Sequence, residues 1–194
     1  MTTTLAVPPA SGSAGYEDLT GTYAVDPRHS RLGFVARHAM VTKVRGRFDE
    51  FEGTIHVDGS DPSRSSAEVR IAVASIDTRL AVRDEHLRSN DFLGAQQHPF
   101  ITYRTTRVEQ LEPTTFRVTG DLTIKGTTRP VVLDMEFTGA ATDTDGDRRI
   151  GFEGTTTIDR RDWGINWNAT LETGGVLVSN LVTLEIDVSA VRTG

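Results

Sequence analysis

The chain has 194 residues and a formal net charge of −6, long enough for one domain with a buried core. Its acidic balance counts against nucleic acid and against electrostatic docking on an anionic membrane. It contains no Cys, which excludes a disulfide framework, thiol catalysis and a thiolate metal site.

In chain order, residues 1–18 come first. They carry no Lys or Arg, and Pro8-Pro9 cuts off the short apolar run Leu5-Ala6-Val7. That is not the pattern of a signal peptide, so the segment is expected to be a disordered tail ahead of a single domain over 19–194. No stretch approaches the ~20 apolar residues of a membrane span. The expectation is a soluble, cytoplasmic protein.

From residue 20 onward apolar residues recur with period two, the mark of strands that bury one face. Runs at 21–26, 31–41 and 44–57 are rich in Val, Phe, Tyr and Thr but loosely patterned. Asp61-Pro62-Ser63 breaks the chain, and Ala67, Val69, Ile71 and Val73 then share a face. Residues 79–89 differ, because Leu80, Arg83 and Leu87 fall at helical spacing. A short helix there would act as a lid on a barrel mouth. After a run at 100–109, Glu112-Pro113 marks a hairpin turn. Strict alternation follows through Phe116, Val118, Leu122 and Ile124, then Val131, Leu133, Met135 and Phe137. Asp145-Gly146 is a second hairpin turn, since both residues tolerate positive φ. Ile150, Phe152 and Ile158, and finally Val182, Leu184, Ile186 and Val188, complete the pattern. Eight or nine strands joined by short turns give an all-β sandwich or closed barrel.

None of the common catalytic motifs is present: no nucleophile elbow, no H-E-x-x-H and no phosphate loop. Asp143, Asp145 and Asp147 lack the spacing and closing Glu of a calcium loop. His56 and His98 read as surface or turn residues. His29, His38 and His86 could be a three-His zinc site. They share no short-spaced pair, and bracing through hydrogen bonds is the preferred reading, so no metal is expected. Arg37, Arg83, Asp84, Arg160 and Asp162 could be acid–base groups, but ion pairs tying helix and loops to the rim are preferred. Trp163 and Trp167 suit either a core or a pocket wall.

Taken together, these segments resemble the YceI family over residues 20–190. The resemblance is carried by GTYAVDPRHS at 21–30, FVARH at 34–38, VRGRF at 44–48 and FEG at 51–53. It continues through SIDT at 75–78, RDEHLRS at 83–89, HPFIT at 98–102 and GDLTIKG at 120–126. TRPV at 128–131, DRRDWGI at 159–165 and WN at 167–168 complete it. It implies an eight-stranded, lipocalin-like antiparallel barrel, usually a homodimer, with a long polyisoprenoid lipid or quinone tail in its lumen. It implies no resident cofactor and no catalytic residues to carry over. Alternation makes Phe34, Phe48, Ile71, Leu122, Ile124, Met135, Phe152 and Ile186 candidates for the inner face. Leu87 and Phe92 would cover the opening, and His38 and Trp163 complete the candidate ligand-binding set. The function expected is non-catalytic binding, storage or transport. The alternative is a lipid-modifying or metal-dependent enzyme using rim His and Asp groups.

Overall fold

The computed structural model describes residues 16–172 and 174–194. The strands are β1 (Gly21–Val25), β2 (Arg31–His38), β3 (Thr42–Phe48), β4 (Phe51–Val57), β5 (Ser66–Ala72) and β6 (Ile76–Asp77). A helix, α1 (Ala81–Arg88), precedes β7 (Phe100–Gln110), β8 (Thr115–Ile124), β9 (Thr127–Thr142), β10 (Arg148–Asp159) and β11 (Leu181–Arg192). The order β1-β4-β5-β7-β8-β9-β10-β11 returns to β1, a closed eight-stranded antiparallel barrel. At the closing seam Tyr23 lies opposite Arg192 and Val25 opposite Ala190. The helix falls where the 79–89 spacing placed it.

Strands β2, β3 and β6 lie outside this ring and extend one end of it. β2 pairs with the first half of β11, Val35 opposite Thr183. β3 pairs with β2, and β6 with the end of β3. This explains why the run at 44–57 is two strands. β3 takes β2 and β6 as neighbours, whereas β4 takes β1 and β5. The chain changes partners at Asp49-Glu50, where the Asp49 N–H donates to Ser75 O (3.2 Å) and the Ala72 N–H to Glu50 O (2.9 Å).

β9 contains Pro130, and this too has a positional reason. Its pairing with β10 begins only at Asp134, so Pro130 sits where no partner strand needs its missing N–H. Beyond β10, the turn Arg160–Trp163 lies against β9. Trp163 is 3% exposed, and its Nε1–H donates to Leu122 O of β8 (3.0 Å). At the other end, residues 1–15 of the expected tail lie outside the described residues. Its last three, Tyr16–Asp18, belong to an ordered turn. Tyr16 packs edge-on against Phe137 (5.4 Å), bonds to Pro113 O and lies over Gly59, where a Cβ would meet Tyr16 O. Helix α1 is tied down by Asp84, which is buried and accepts from the Thr78 N–H (2.9 Å) and the Thr78 hydroxyl.

Candidate ligand-binding lumen

Alternate residues of the ring strands point inward, and the sequence makes them apolar. They do not fill the interior. Two cavities run end to end, one of about 250 Å³ on the α1 side and one of about 170 Å³ toward Tyr16. They share Val69, Tyr103, Leu133, Ile186 and Val188 as a common waist. Together they reach the range of about 300–1,000 Å³ usual for small-molecule sites.

Glycines in the wall help to keep this space open. A Cβ on Gly120 would lie 2.4 Å from the Tyr103 ring, and one on Gly46 would lie 2.2 Å from the Phe34 ring. Each ring therefore occupies space over its glycine that a side chain there would take. The Tyr103 hydroxyl donates to Val118 O (3.3 Å). Burial pushes its phenol up to about 12, so it is a neutral donor at any physiological pH.

Of the candidate set, Phe34, Phe48, Ile71, Leu87, Phe92, Leu122 and Ile124 line the larger cavity. Met135 and Phe152 line the smaller, and Ile186 lines both. Two candidates sit elsewhere. Trp163 is buried in the core cluster behind the cavity, bonded to Leu122 O. His38 is exposed at the end of β2, bridged to Val178. The waist residue Tyr103 was missed because 100–109 alternates weakly. Leu133 and Ile158 were on legible faces but were not singled out.

The expected ion pairs at the rim are not what holds it. Arg160 is 5% exposed and has no carboxylate partner among the described residues. Its guanidinium donates to the backbone carbonyls of Ser179 (3.0 Å), Ile165 (2.7 Å) and Trp167 (2.9 Å), which binds the 164–180 loop to the barrel. Arg83 donates to the Thr78 hydroxyl (2.7 Å) and Thr78 O (2.8 Å). Backbone carbonyls outnumber carboxylates where a loop folds over a strand end, and they satisfy the planar donor fork equally well.

The histidines occupy separate places. His29 Nδ1 bonds Asp26 (2.8 Å), and His86 Nε2 bonds Asp91 (2.9 Å) while its ring meets Trp167 (4.6 Å) and Phe92 (5.0 Å). The eight residues of β2, at about 3.4 Å each, hold His29 and His38 at opposite ends of the strand. No three His, Asp or Glu side chains converge as a metal site among the described residues.

A closed antiparallel barrel with apolar cavities along its axis, and a helix whose Leu87 lines one of them, defines a class of small barrels. Comparison with known proteins then specifies the family: the YceI-like domain matches residues 23–190. The chain belongs to the YceI family. A UPF0312 protein of Staphylococcus aureus strain N315 is 41% identical over 164 residues, 84% of this chain and 93% of that protein. The Campylobacter jejuni YceI protein superposes with a TM-score of 0.71 at 30% identity, covering 81% of this chain and 90% of that one. A polyisoprenoid binding domain from Saccharophagus degradans, implicated in plant cell wall breakdown, superposes with a TM-score of 0.69 at 19% identity, covering 88% and 98%.

Proposed function

We propose that the protein is a non-catalytic carrier or store that holds a long apolar lipid, a polyisoprenoid or an isoprenoid quinone, in its lumen. One observation carries the reading: two apolar cavities set end to end along the barrel and sharing five lining residues, from Phe34 and Leu87 at one end to Phe137 and Tyr16 at the other. Such a shape suits a slender chain better than a compact molecule. The polyisoprenoid binding of the Saccharophagus domain supports the same class of occupant. Each five-carbon unit buried would gain about 4 kcal/mol gross, at ~0.8 kcal/mol per methylene. Chain ordering offsets much of this, and affinity saturates near about 20 kcal/mol. Selection then rests on length and shape. The reading includes a homodimer in the cytoplasm, which light scattering and cell fractionation test.

The deciding experiment is organic extraction of the purified protein followed by mass spectrometry. A near-stoichiometric prenyl lipid is expected. Protein that emerges empty, and takes up no prenyl lipid when offered it, overturns the reading.

A further inference from the structure

The chain carries 21 Lys and Arg residues, and almost all are spoken for. Ion pairs or hydrogen bonds occupy every such side chain among the described residues except Arg37, Lys43, Arg45 and Arg79. These four are exposed and lie together. Arg37 sits directly opposite Lys43 on β2 and β3, with Arg45 opposite Val35. Arg79 follows Thr78, whose methyl packs at Gly46 of β3. Like charges opposed across a strand pair are destabilising, so an uncompensated cluster points to an anion outside the protein.

The same rim exposes apolar side chains. Val41 is 79% exposed, Val82 77%, Met40 55% and Leu80 52%. Met40 and Val41 form the tip of the β2–β3 hairpin. Leu80 precedes α1 and Val82 lies in its first turn, and Arg83 ties that turn to Thr78 beside the hairpin. Ala36, the last inward residue of β2 to line the larger cavity, lies just behind this tip. Three of the four non-glycine residues with left-handed backbone among the described residues, Ala39, Met40 and Arg79, are here as well. A charged edge strand alone would guard β3 against aggregation. It would not require large apolar side chains held out into water beside it, one of them, Met40, on left-handed backbone.

We infer that this rim is a docking surface for an anionic lipid bilayer, with the four cations at the headgroups and Met40, Val41, Leu80 and Val82 entering the interface. Exposed apolar groups flanked by unpaired Lys and Arg are what a bilayer surface selects. The net charge of −6 describes the whole molecule and hides this local reversal. The inference deepens the carrier reading, since it sets the mouth of the lumen against the membrane that would supply or receive the lipid.

Vesicle flotation tests it with the full chain, using vesicles of phosphatidylcholine alone and vesicles mixed with phosphatidylglycerol. The protein should float only with phosphatidylglycerol, and salt should weaken the binding. Lys43→Glu with Arg45→Glu should reduce binding at least about tenfold, as expected for reversing two basic residues at an anionic surface. Met40→Ser with Val41→Ser should reduce it several-fold and leave the salt dependence, while Leu111→Ser at the opposite end changes nothing. Circular dichroism confirms that each variant is folded. Absence of binding, equal binding to both vesicles, or undiminished binding by the charge-reversed variant overturns the inference. So does a wild-type dimer that Val41→Ser and Val82→Ser dissociate, because the surface would then join copies of the chain. Protein that extracts empty and takes up no prenyl lipid, yet floats, defeats the carrier reading alone; protein that carries lipid but does not float defeats the docking surface alone.

Discussion

Tyr103 and Gly120 set how much of the waist stays open. A Cβ at 120 would also lie 2.6 Å from Arg104 O, so a side chain there must move backbone as well as the ring. Gly120→Ala is expected to cost about 1–3 kcal/mol, as overpacking usually does. At about 2–4 °C per kcal/mol for a domain of this size, the thermal midpoint should fall by several degrees. Lipid recovered from the variant should be shorter or substoichiometric; full-length lipid at wild-type stoichiometry would show that the waist does not limit occupancy. Asp26 offers a pH test. It is buried and accepts from His29 Nδ1 (2.8 Å) and Arg149 Nη1 (2.9 Å), which hold its carboxyl well below the usual carboxylate range. The folded protein therefore takes up this proton less readily than the unfolded chain. Its contribution is full above pH about 4 and is lost as the pH falls below that. Asp26→Asn should cost about 1–3 kcal/mol at neutral pH. The gap in thermal midpoint between variant and wild type should close in acid. A gap independent of pH would mean that the carboxylate charge is not what matters.

At the scale of elements, α1 stands apart from the ring strands, and a short set of contacts fixes it. It is held to the strands through Thr78, Asp84 and Arg83, and by Arg88 donating to Ala74 O (2.9 Å) and Ile76 O (2.9 Å). Asp84→Ala removes the acceptor of a buried N–H and should speed hydrogen exchange over 78–89 while the ring strands keep their protection. Leu87→Asp places a charge against the apolar cavity and should lower lipid retention. Unchanged lipid content in that variant would remove the lid role. Strands with strict alternation, such as β8 and β11, were legible in sequence because one face meets the lumen and the other water. The partner change at Asp49-Glu50 was not, since it depends on which strands lie alongside. Trp163 read equally well as core or pocket; its burial in the cluster around Leu122 and Val131 decides for core. The partners of Arg160 are not legible for a similar reason, because the backbone carbonyls that receive it leave no mark in composition.

For the whole molecule, the inward faces of the barrel could be read from parity, but not whether they meet. The same alternation describes a packed interior and an open one. The difference lies in cross-strand register, which lays Tyr103 over Gly120 and Phe34 over Gly46. An open interior has a thermodynamic signature. A lipid that binds the folded state alone stabilises it by mass action. Delipidated protein should therefore melt lower than protein as purified, and titration with a prenyl lipid should restore the midpoint in a concentration-dependent way. An unchanged midpoint across the titration would argue that the cavities stay empty.

The seam between β1 and β11 also governs how the molecule comes into being. Tyr23 and Arg192 are neighbours in the barrel although nearly the whole chain separates them. During synthesis, β1 can pair with β4 early, but its other edge has to wait until Leu181–Arg192 has left the ribosome, and until then the growing sheet is an open ribbon with two free edges and an uncovered greasy face. Closure of so distant a contact is intrinsically slow. The nascent chain thus passes through a long interval in which the surface destined to become the lumen is outside, available to a chaperone, to a neighbouring chain, or to the lipid around which the ribbon could close.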